Sequence, residues 1–241
     1  AAGRGRGVVH SHEKIMVGDS LVTTYNDQHF SRIRRHFKVN DNFLEGNVDF
    51  GSRTHLFGKG GSMHVYSKDR QYLLKTLTPS DHATLMNLSA SYVTHITNKH
   101  PTLLARFLLH FKRKGVLWIV MNNWLPLADI EKYDFVYDLK GCDDSKRLVD
   151  RGKTVVMRRN RWYTPPYVWP IFSLEQIQQR RIYKQGKIQA KKVEVHVTPC
   201  FKKKILKTIK RDISFLERHS LMDYSLVLAI QASGSSSSSS S

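Results

Sequence analysis

A long helical pattern followed at once by a short apolar run is the feature that most constrains the fold. Apolar residues recur at helical spacing from about residue 200 to residue 219. The expected buried face of this helix consists of Leu206, Ile209, Ile213 and Leu216. The stretch 221–228 follows, and from Leu226 it predicts a short buried strand. Asp223 lies at this helix-to-strand corner, where a carboxylate can point into a cleft while its neighbours stay packed.

A glycine-rich turn that opens a hairpin is the second informative feature. Residues 63–66 and 72–77 have the composition of strands, with a polar turn between them. The turn before them consists of Gly58, Lys59, Gly60, Gly61 and Ser62. Backbone N–H groups in such a turn can cover phosphates, although a plain hairpin turn has the same composition. It is not a Walker A loop, because a strand follows it where that motif requires a helix.

Two lysines and an aspartate lie on or just after predicted strands. Lys75 is in the second strand of the hairpin, and Asp138 and Lys140 lie at the end of a strand expected for residues 133–139. With the glycine turn and the late Asp223, these are the parts that phosphoryl transfer needs. Catalysis of that reaction consists largely of positioning and of charge stabilisation.

The remaining segments predict a mixture of helices and hairpins. We expect residues 1–40 to be a polar, irregular, basic extension, followed by a domain over residues 41–231 and a serine-rich tail at 232–241 with no reason to fold. Residues 28–37 predict a short helix, either packed against the next domain or lying on a membrane. Apolar runs at 103–111 and 116–121 predict a second hairpin.

A helix is expected to begin at Pro79, with Ser80 as its cap. Its apolar face is expected to contain Leu85, Leu88, Tyr92 and Ile96. The histidines are scattered without metal-ligand spacing, and His64, His95 and His110 are therefore interpreted as ordinary packing or surface residues.

The charge of the chain predicts a polyanionic partner. Lysine and arginine number 39 against 20 acidic residues, a net charge of +19. Basic runs at 146–161, expected to be loop-like, and at 180–192 are the candidate contact surfaces. No apolar run approaches the roughly 18 residues of a membrane-spanning helix. The two distant cysteines suit a reducing compartment, and the first seven residues lack the apolar core of a secretory signal.

Five motifs, in order and spacing, resemble those of the phosphatidylinositol phosphate kinases. They are Gly58-Lys59-Gly60-Gly61-Ser62, Leu74-Lys75-Thr76, Tyr137-Asp138-Leu139-Lys140-Gly141, the run 210–217 and the run 221–226. The resemblance covers about residues 40–231. It implies an α+β, two-lobed lipid-kinase-like fold that is distantly related to protein kinases. The N-terminal lobe would contain an antiparallel sheet, and the C-terminal lobe, with the 200–219 helix, would be truncated in this chain.

The resemblance also implies a reaction and its cofactors. Members of the family phosphorylate inositol lipid headgroups with ATP and a divalent cation, which we take to be Mg²⁺. Lys75 would hold the ATP phosphates beneath the glycine turn, and Asp223 would lie near the transferred phosphoryl group. Lys140 would neutralise charge on that group or on the lipid phosphate, and Asp138 is grouped with these catalytic residues. The expected partner is a phosphoinositide at an anionic membrane surface, and the expected location is intracellular and peripheral to the membrane.

Two departures from the family pattern keep an alternative function open. The turn has Gly60-Gly61 where the family usually has Ser-Gly, a change that preserves backbone access. No acidic residue follows Asp223, whereas the family has a later metal-binding aspartate and a substrate-selecting loop. A fragment, a low-complexity insertion or a partly lost catalytic apparatus would each explain this. The alternative to a lipid kinase is a catalytically impaired scaffold module, for example in a ribonucleoprotein, since the charge suits RNA as well as membranes.

Overall fold

The computed structural model describes residues 14–51, 56–57, 63–124, 127–155, 174–222 and 224–231. The chain divides into two compact units, and neither is continuous in sequence. Unit 1 contains residues 1–126 and 202–219, and unit 2 contains residues 127–201 and 220–241. Both units combine helices with an antiparallel sheet, which confirms the mixed helix and strand composition expected from the sequence.

Unit 1 is built on a sheet that has seven strands among the described residues, in the order β1-β2-β6-β7-β5-β4-β3. Neighbouring strands of this order are antiparallel to each other. In chain order the elements of its first segment are β1 (Lys14–Val17), β2 (Ser20–Thr24), α1 (Asp27–His36), β3 (Leu56–Phe57), β4 (Met63–Tyr66), β5 (Tyr72–Thr76), α2 (Pro79–Ile96), β6 (Phe107–Arg113) and β7 (Val116–Asn122). Both predicted hairpins, β4–β5 and β6–β7, are confirmed.

The expectation of irregular structure over residues 1–40 is wrong for residues 14–24, which form two strands. Strands β1 and β2 extend the sheet of unit 1, because β2 pairs with β6 through Thr23 and Thr24. The helix predicted for 28–37 is confirmed as α1, whose Phe30 and Ile33 are fully buried. The turn between β1 and β2 needs a glycine, since a Cβ on Gly18 would lie 2.5 Å from the carbonyl oxygen of Val48.

The core of unit 1 lies against this sheet and combines residues that are distant in sequence. Its buried members are Val17, Val22, Leu44, Val48, Val65, Leu74, Leu109, Phe111, Trp118 and Val120. At about 25 cal/mol per Å² of apolar surface removed from water, a full side chain of this kind contributes about 1.5–3 kcal/mol. This packing holds β5, and with it Lys75, in the middle of the sheet.

A buried arginine fixes α1 to the sheet. The guanidinium of Arg34, 1% exposed, donates two hydrogen bonds of 2.8 Å to the carboxylate of Asp27. It also donates to Asp41 Oδ1 at 2.7 Å and to the carbonyl oxygen of Leu108 in β6 at 2.9 Å. The carboxylates and the carbonyl together satisfy the arginine, which is the condition under which a charge can be buried.

The N-terminus of α2 is capped by Thr78, and the prediction of Ser80 as the cap is wrong. The Thr78 hydroxyl accepts a hydrogen bond from the backbone N–H of Asp81, and the Asp81 carboxylate accepts one from the Thr78 N–H. This is a capping box, with proline at the first helical position. The predicted apolar face is confirmed, since all four of its residues are buried.

Helix α4 (Pro199–Arg218) differs from the sequence prediction in its buried face. Its residues from 202 onward group with unit 1, which contains both predicted hairpins. Its buried residues are Thr208, Asp212 and Phe215, whereas Leu206 of the predicted buried face is 44% exposed. The buried face is therefore rotated by one residue around the helix axis, and the polar Asp212 lies at its centre.

The anchor of α4 is Asp212, which accepts hydrogen bonds from three groups of unit 1. The donors are His95 Nε2 at 2.7 Å, Thr102 Oγ1 at 2.9 Å and the backbone N–H of Leu103 at 2.7 Å. The ring of Phe215 stacks on the ring of His95 with centroids 4.3 Å apart. These contacts join α4 to α2 and to the segment that follows α2.

Unit 2 contains the second sheet, in which the described residues form four strands in the order β10-β9-β8-β11. Its elements are a 3₁₀ helix (Leu127–Lys132), β8 (Phe135–Leu139), β9 (Lys146–Asp150), β10 (Lys153–Thr154), α3 (Leu174–Lys192) and β11 (Leu226–Ile230). The strands predicted for 133–139 and from Leu226 are confirmed, but β11 is not buried, since its residues are exposed or half-buried.

The prediction of a basic loop over 146–161 is wrong for its first part, which forms β9 and β10. Lys146 and Arg147 are buried, and Arg147 donates to Gln189 Oε1 of α3 at 2.5 Å and to Asp150 Oδ2 at 2.9 Å. Helix α3 can lie this close to β9 because of Gly186, where a Cβ would be 2.9 Å from the Cβ of Arg147. Arg180, in the second basic run, is also buried.

Within the described residues, no helix is both long enough and apolar enough to cross a lipid bilayer.

Candidate functional site

Lys75 lies on the central part of the unit 1 sheet. Strand β5 is flanked by β4 and β7, and Lys75 is paired with His64 on one side and with Ile119 on the other. Its side chain is half-buried, and no ion pair to it is formed by the residues that the structure describes. The backbone of Lys75 is fixed by both neighbouring strands, and its ammonium charge is not neutralised by a described acid.

His64 lies opposite Lys75 on the neighbouring strand, and the sequence did not predict a function for it. Its Nε2 atom is buried and has no hydrogen-bond partner among the described residues. Burial, and secondly the charge of Lys75, lower the pKa of His64 below its ordinary value, so the imidazole is neutral near pH 7. A neutral, unpartnered ring nitrogen can donate to or accept from a bound ligand. The available sequence signal was its position two residues after the glycine turn.

Asp138 forms a cross-strand ion pair on the unit 2 sheet. It lies directly opposite Lys146 in the β8–β9 register, and Lys146 Nζ donates to Asp138 Oδ2 at 2.5 Å. The other carboxylate oxygen, Oδ1, is buried and has no partner among the described residues. Asp138 therefore orders this part of the sheet and retains one oxygen that can accept a further bond.

The position of Lys140 is set by the loop that follows β8. Its backbone N–H donates to Ser145 Oγ at 2.9 Å, and the N–H of Ser145 donates to the carbonyl oxygen of Cys142 at 3.0 Å. Gly141 has a φ of 70°, a left-handed conformation that favours glycine. The loop is thus closed on itself, and the half-buried Lys140 side chain starts from a fixed backbone.

The start of β11 lies beside the end of β8. Leu226 is paired with Leu139, so the chain enters β11 at the end of the sheet where it leaves β8 toward Lys140. Two parts of the predicted site, Asp223 and the turn 58–62, lie outside the described residues. Asp138 and Lys140 are brought together in unit 2, whereas Lys75 and His64 belong to unit 1.

Comparison with known protein families shows to which family the chain belongs. The family model described as Phosphatidylinositol-4-phosphate 5-Kinase matches residues 51–241. The chain belongs to this family. The resemblance seen in the motifs is thereby confirmed, and the family match covers every predicted site residue, including those outside the described ranges.

Curated relatives of this kinase family align with most of the chain. A phosphatidylinositol 4-phosphate 5-kinase of Plasmodium falciparum is 28% identical over 80% of this chain and 10% of its own length. A phosphatidylinositol 5-phosphate 4-kinase type-2 gamma of Danio rerio is 26% identical over 86% of this chain and 45% of its own length. A phosphatidylinositol 4-phosphate 5-kinase type-1 beta of Gallus gallus is 28% identical over 72% of this chain and 28% of its own length. The chain thus spans less than half the length of these relatives.

The described residues of this kinase-family chain contain no group of three histidine, cysteine or acidic side chains that could hold a metal ion. Mg²⁺ in phosphoryl-transfer sites is bound by one or two carboxylates together with substrate phosphates, so a dedicated cage is not required. The unpartnered, buried Oδ1 of Asp138 is a hard oxygen of the kind that Mg²⁺ prefers. The donor chemistry of the site therefore fits this ion.

Proposed function

We propose that the chain is the part of a phosphatidylinositol phosphate kinase that binds ATP and transfers its terminal phosphate to an inositol lipid headgroup. In this proposal units 1 and 2 are portions of the two lobes of a lipid-kinase-like fold. The observation that carries the proposal is Lys75, a half-buried cation on a central strand that forms no described ion pair, in a chain of this family. Family membership favours this activity over the scaffold alternative.

Lys75 is proposed to bind the ATP phosphates. A phosphate oxygen would provide the counter-charge that the described residues do not supply. The glycine turn 58–62 precedes β4 and would cover the same phosphates with its backbone N–H groups. His64, neutral and opposite Lys75, can contribute a hydrogen bond without adding charge. The binding energy comes from the charge-assisted bond, which is about twice as strong as a neutral one.

Lys140 is proposed to stabilise charge on the transferred phosphoryl group or on the lipid phosphate. Charge accumulates on phosphoryl oxygens in the transition state, and a cation that is already in place lowers the barrier without reorganisation. The closed loop 140–145 supports this role, because it fixes the backbone of Lys140 before a ligand binds. Asp223 is proposed to orient the acceptor hydroxyl as the catalytic aspartate.

Mg²⁺ is proposed to be held by Asp138 Oδ1, Asp223 and the phosphates of ATP, and when bound it supplies positive charge to the phosphoryl oxygens. Asp138 has a second role as a positioning residue, because its ion pair with Lys146 fixes the register of β8 and β9 beside Lys140. Asp138 and Lys146 carry opposite charges, so this pair adds no net charge to the site.

The chain is proposed to act at the surface of an anionic membrane, as a peripheral intracellular protein. Its net charge of +19 favours binding to such a surface, where each lysine or arginine contributes about 1 kcal/mol. The contact surface excludes Lys146, Arg147 and Arg180, which are buried. The exposed lysines of α4 are the proposed contacts.

The proposal is tested with Lys75→Met and a matched control, Lys68→Met, which removes an exposed lysine from the turn of the same hairpin. ATP at a hundred times its dissociation constant contributes about 2.7 kcal/mol of apparent stability. We expect ATP with Mg²⁺ to raise the melting temperature of wild type and Lys68→Met but not of Lys75→Met. Phosphate transfer to vesicles containing phosphatidylinositol 4-phosphate should fall about 10²–10³-fold in Lys75→Met. An equal ATP-induced rise in both variants would refute the assignment of Lys75.

A further inference from the structure

Met63 is the residue at which the chain enters β4, directly after the segment 58–62. On one side of it lies β3, where the backbone of Met63 is paired with that of Phe57. On the other side lies β5, whose backbone pairing with β4 reaches His64 and Lys75 and goes no further in this direction. Met63 is therefore one residue beyond the last backbone pair of the β4–β5 ladder.

The side chain of Thr76 supplies the next bond of this ladder. The backbone N–H of Met63 donates a hydrogen bond to Thr76 Oγ1 at 2.9 Å. The backbone of Thr76 is itself fixed, because it is paired with Trp118 of β7 on the far side of β5. A β-branched side chain has few χ1 rotamers, so the hydroxyl has little freedom to leave this position. The bond thus ties the start of β4 to the strand that carries Lys75.

The hydroxyl of Thr76 acts on the protein backbone and not on a ligand at Lys75. Successive side chains of a strand point to opposite faces of the sheet. Thr76 shares its face with Leu74, which is fully buried in the core of unit 1, whereas Lys75 belongs to the opposite face. The side chain of Met63 also packs against this core. Both partners of the hydrogen bond are therefore anchored independently of any ligand.

We propose that Thr76 is a positioning residue for the phosphate site at Lys75, an inference that rests on the ATP-binding function proposed above. Its hydroxyl holds Met63 beside the strand of Lys75, so the segment 58–62 joins β4 at a fixed point. Groups that must be ordered when a ligand binds lower its affinity, and groups already held in place do not. Thr76 therefore increases the affinity for the phosphates of ATP without contacting them.

The hydrogen bond is tested first without nucleotide, in the full 241-residue chain. Thr76→Val keeps the branched shape and lacks the hydroxyl, whereas Thr76→Ser keeps the hydroxyl. The matched control is Thr23→Val, which changes an exposed threonine in β2 of the same sheet. Amide hydrogen exchange of Met63 should be about 5-fold or more faster in Thr76→Val than in the other proteins, because its N–H has lost its acceptor.

The positioning role is tested by comparing ATP, in the presence of Mg²⁺, with adenosine, which lacks phosphates. Calorimetry should show ATP binding about 5- to 30-fold weaker in Thr76→Val, the range that follows from the loss of about 1–2 kcal/mol. Thr76→Ser and Thr23→Val should stay within about 2-fold of wild type. Adenosine should bind all of these proteins with the same affinity. A general loss of structure would weaken both ligands alike.

Thr76→Ala also lacks the hydroxyl and should match Thr76→Val in both measurements. Wild-type ATP affinity in both of these variants would overturn the proposal, even if Met63 exchanges faster. Equal weakening of ATP and adenosine, or no recovery in Thr76→Ser, would also overturn it. If wild type bound ATP no better than adenosine, or if Lys75→Met bound ATP as wild type does, the phosphate site itself would be refuted and this proposal with it. Those two results are obtained without any change at Thr76, so the two failures are distinguishable.

Discussion

Acid should destabilise this protein chiefly by protonating a buried imidazole, that of His110 on β6. Its side chain is fully buried and is surrounded by the rings of Tyr25, Phe30 and His82. Its Nε2 atom lies 3.0 Å from His82 Nδ1, and its Nδ1 atom has no partner among the described residues. Burial, and secondly the neighbouring His82, lower the pKa of His110 to about 3. The folded protein therefore keeps this ring neutral where the unfolded chain protonates it.

The size of this loss of stability follows from the difference between the pKa of His110 in the folded state and in the unfolded state. In the unfolded chain the pKa of a histidine is near 6.5, so below that pH the unfolded state binds one more proton than the folded state. The stability that His110 contributes is fully present above pH 6.5 and is lost as the pH falls toward 3. Each pH unit in this window costs about 1.4 kcal/mol, which gives about 2 kcal/mol between pH 7.5 and pH 5.

The assay is urea unfolding at these two pH values for wild type, His110→Gln and a control, His196→Gln, whose side chain is 90% exposed. His110→Gln should lower the free energy of unfolding at pH 7.5 but should lose about 2 kcal/mol less than wild type on acidification. His29 and His64, whose pKa values are also lowered, contribute alike in all three proteins. An identical pH dependence in wild type and His110→Gln would refute the assignment.

Two further substitutions test the buried polar contacts of unit 1. Asp212→Asn should destabilise unit 1 by about 3 kcal/mol and increase hydrogen exchange in α4, because an amide cannot accept from all three of the Asp212 donors. Arg34→Met should destabilise by about 3–5 kcal/mol in urea unfolding, because it leaves the carboxylate of Asp27 buried without its partner.

Matched controls are available on the same helices. Glu217→Gln changes an exposed acid of α4, and Arg35→Met changes the exposed neighbour of Arg34. Both should stay within about 0.5 kcal/mol of wild type, as surface substitutions generally do. An Asp212→Asn variant with wild-type exchange in α4 would show that the hydrogen bonds of this carboxylate do not hold the helix. An Arg34→Met variant as stable as Arg35→Met would show that the ion pair between Arg34 and Asp27 does not stabilise the fold.

Local patterns predicted the parts of the fold that local interactions determine. The β4–β5 hairpin and the apolar face of α2 follow from alternation and helical spacing, and both are confirmed. The face of α4 was wrong because its centre, Asp212, is polar and is buried only through partners about 110 residues earlier in the chain. Hydrophobic periodicity carries no signal for a buried carboxylate.

Partners that are distant in sequence also explain why the burial of the basic segments and the position of His64 were not predicted. Charge predicted that Lys146 and Arg147 would be exposed, yet each is buried beside a partner that β8 or α3 provides. The placement of Lys75 in a strand and of Lys140 directly after one followed from sequence alone. His64 was missed because its cross-strand position opposite Lys75 depends on register, which composition does not encode.

The discontinuous course of unit 1 has a consequence for its synthesis. The partners of Asp212 at residues 95–103 leave the ribosome long before the helix that contains it, because all of the chain up to residue 201 must be made in between. At about 5–20 residues per second, translation delays the closing contact by roughly 5–20 seconds. During that interval α2 and the segment that follows it expose the surface that α4 will cover. Chaperone capture of this protein should therefore peak while residues 104–211 are being translated.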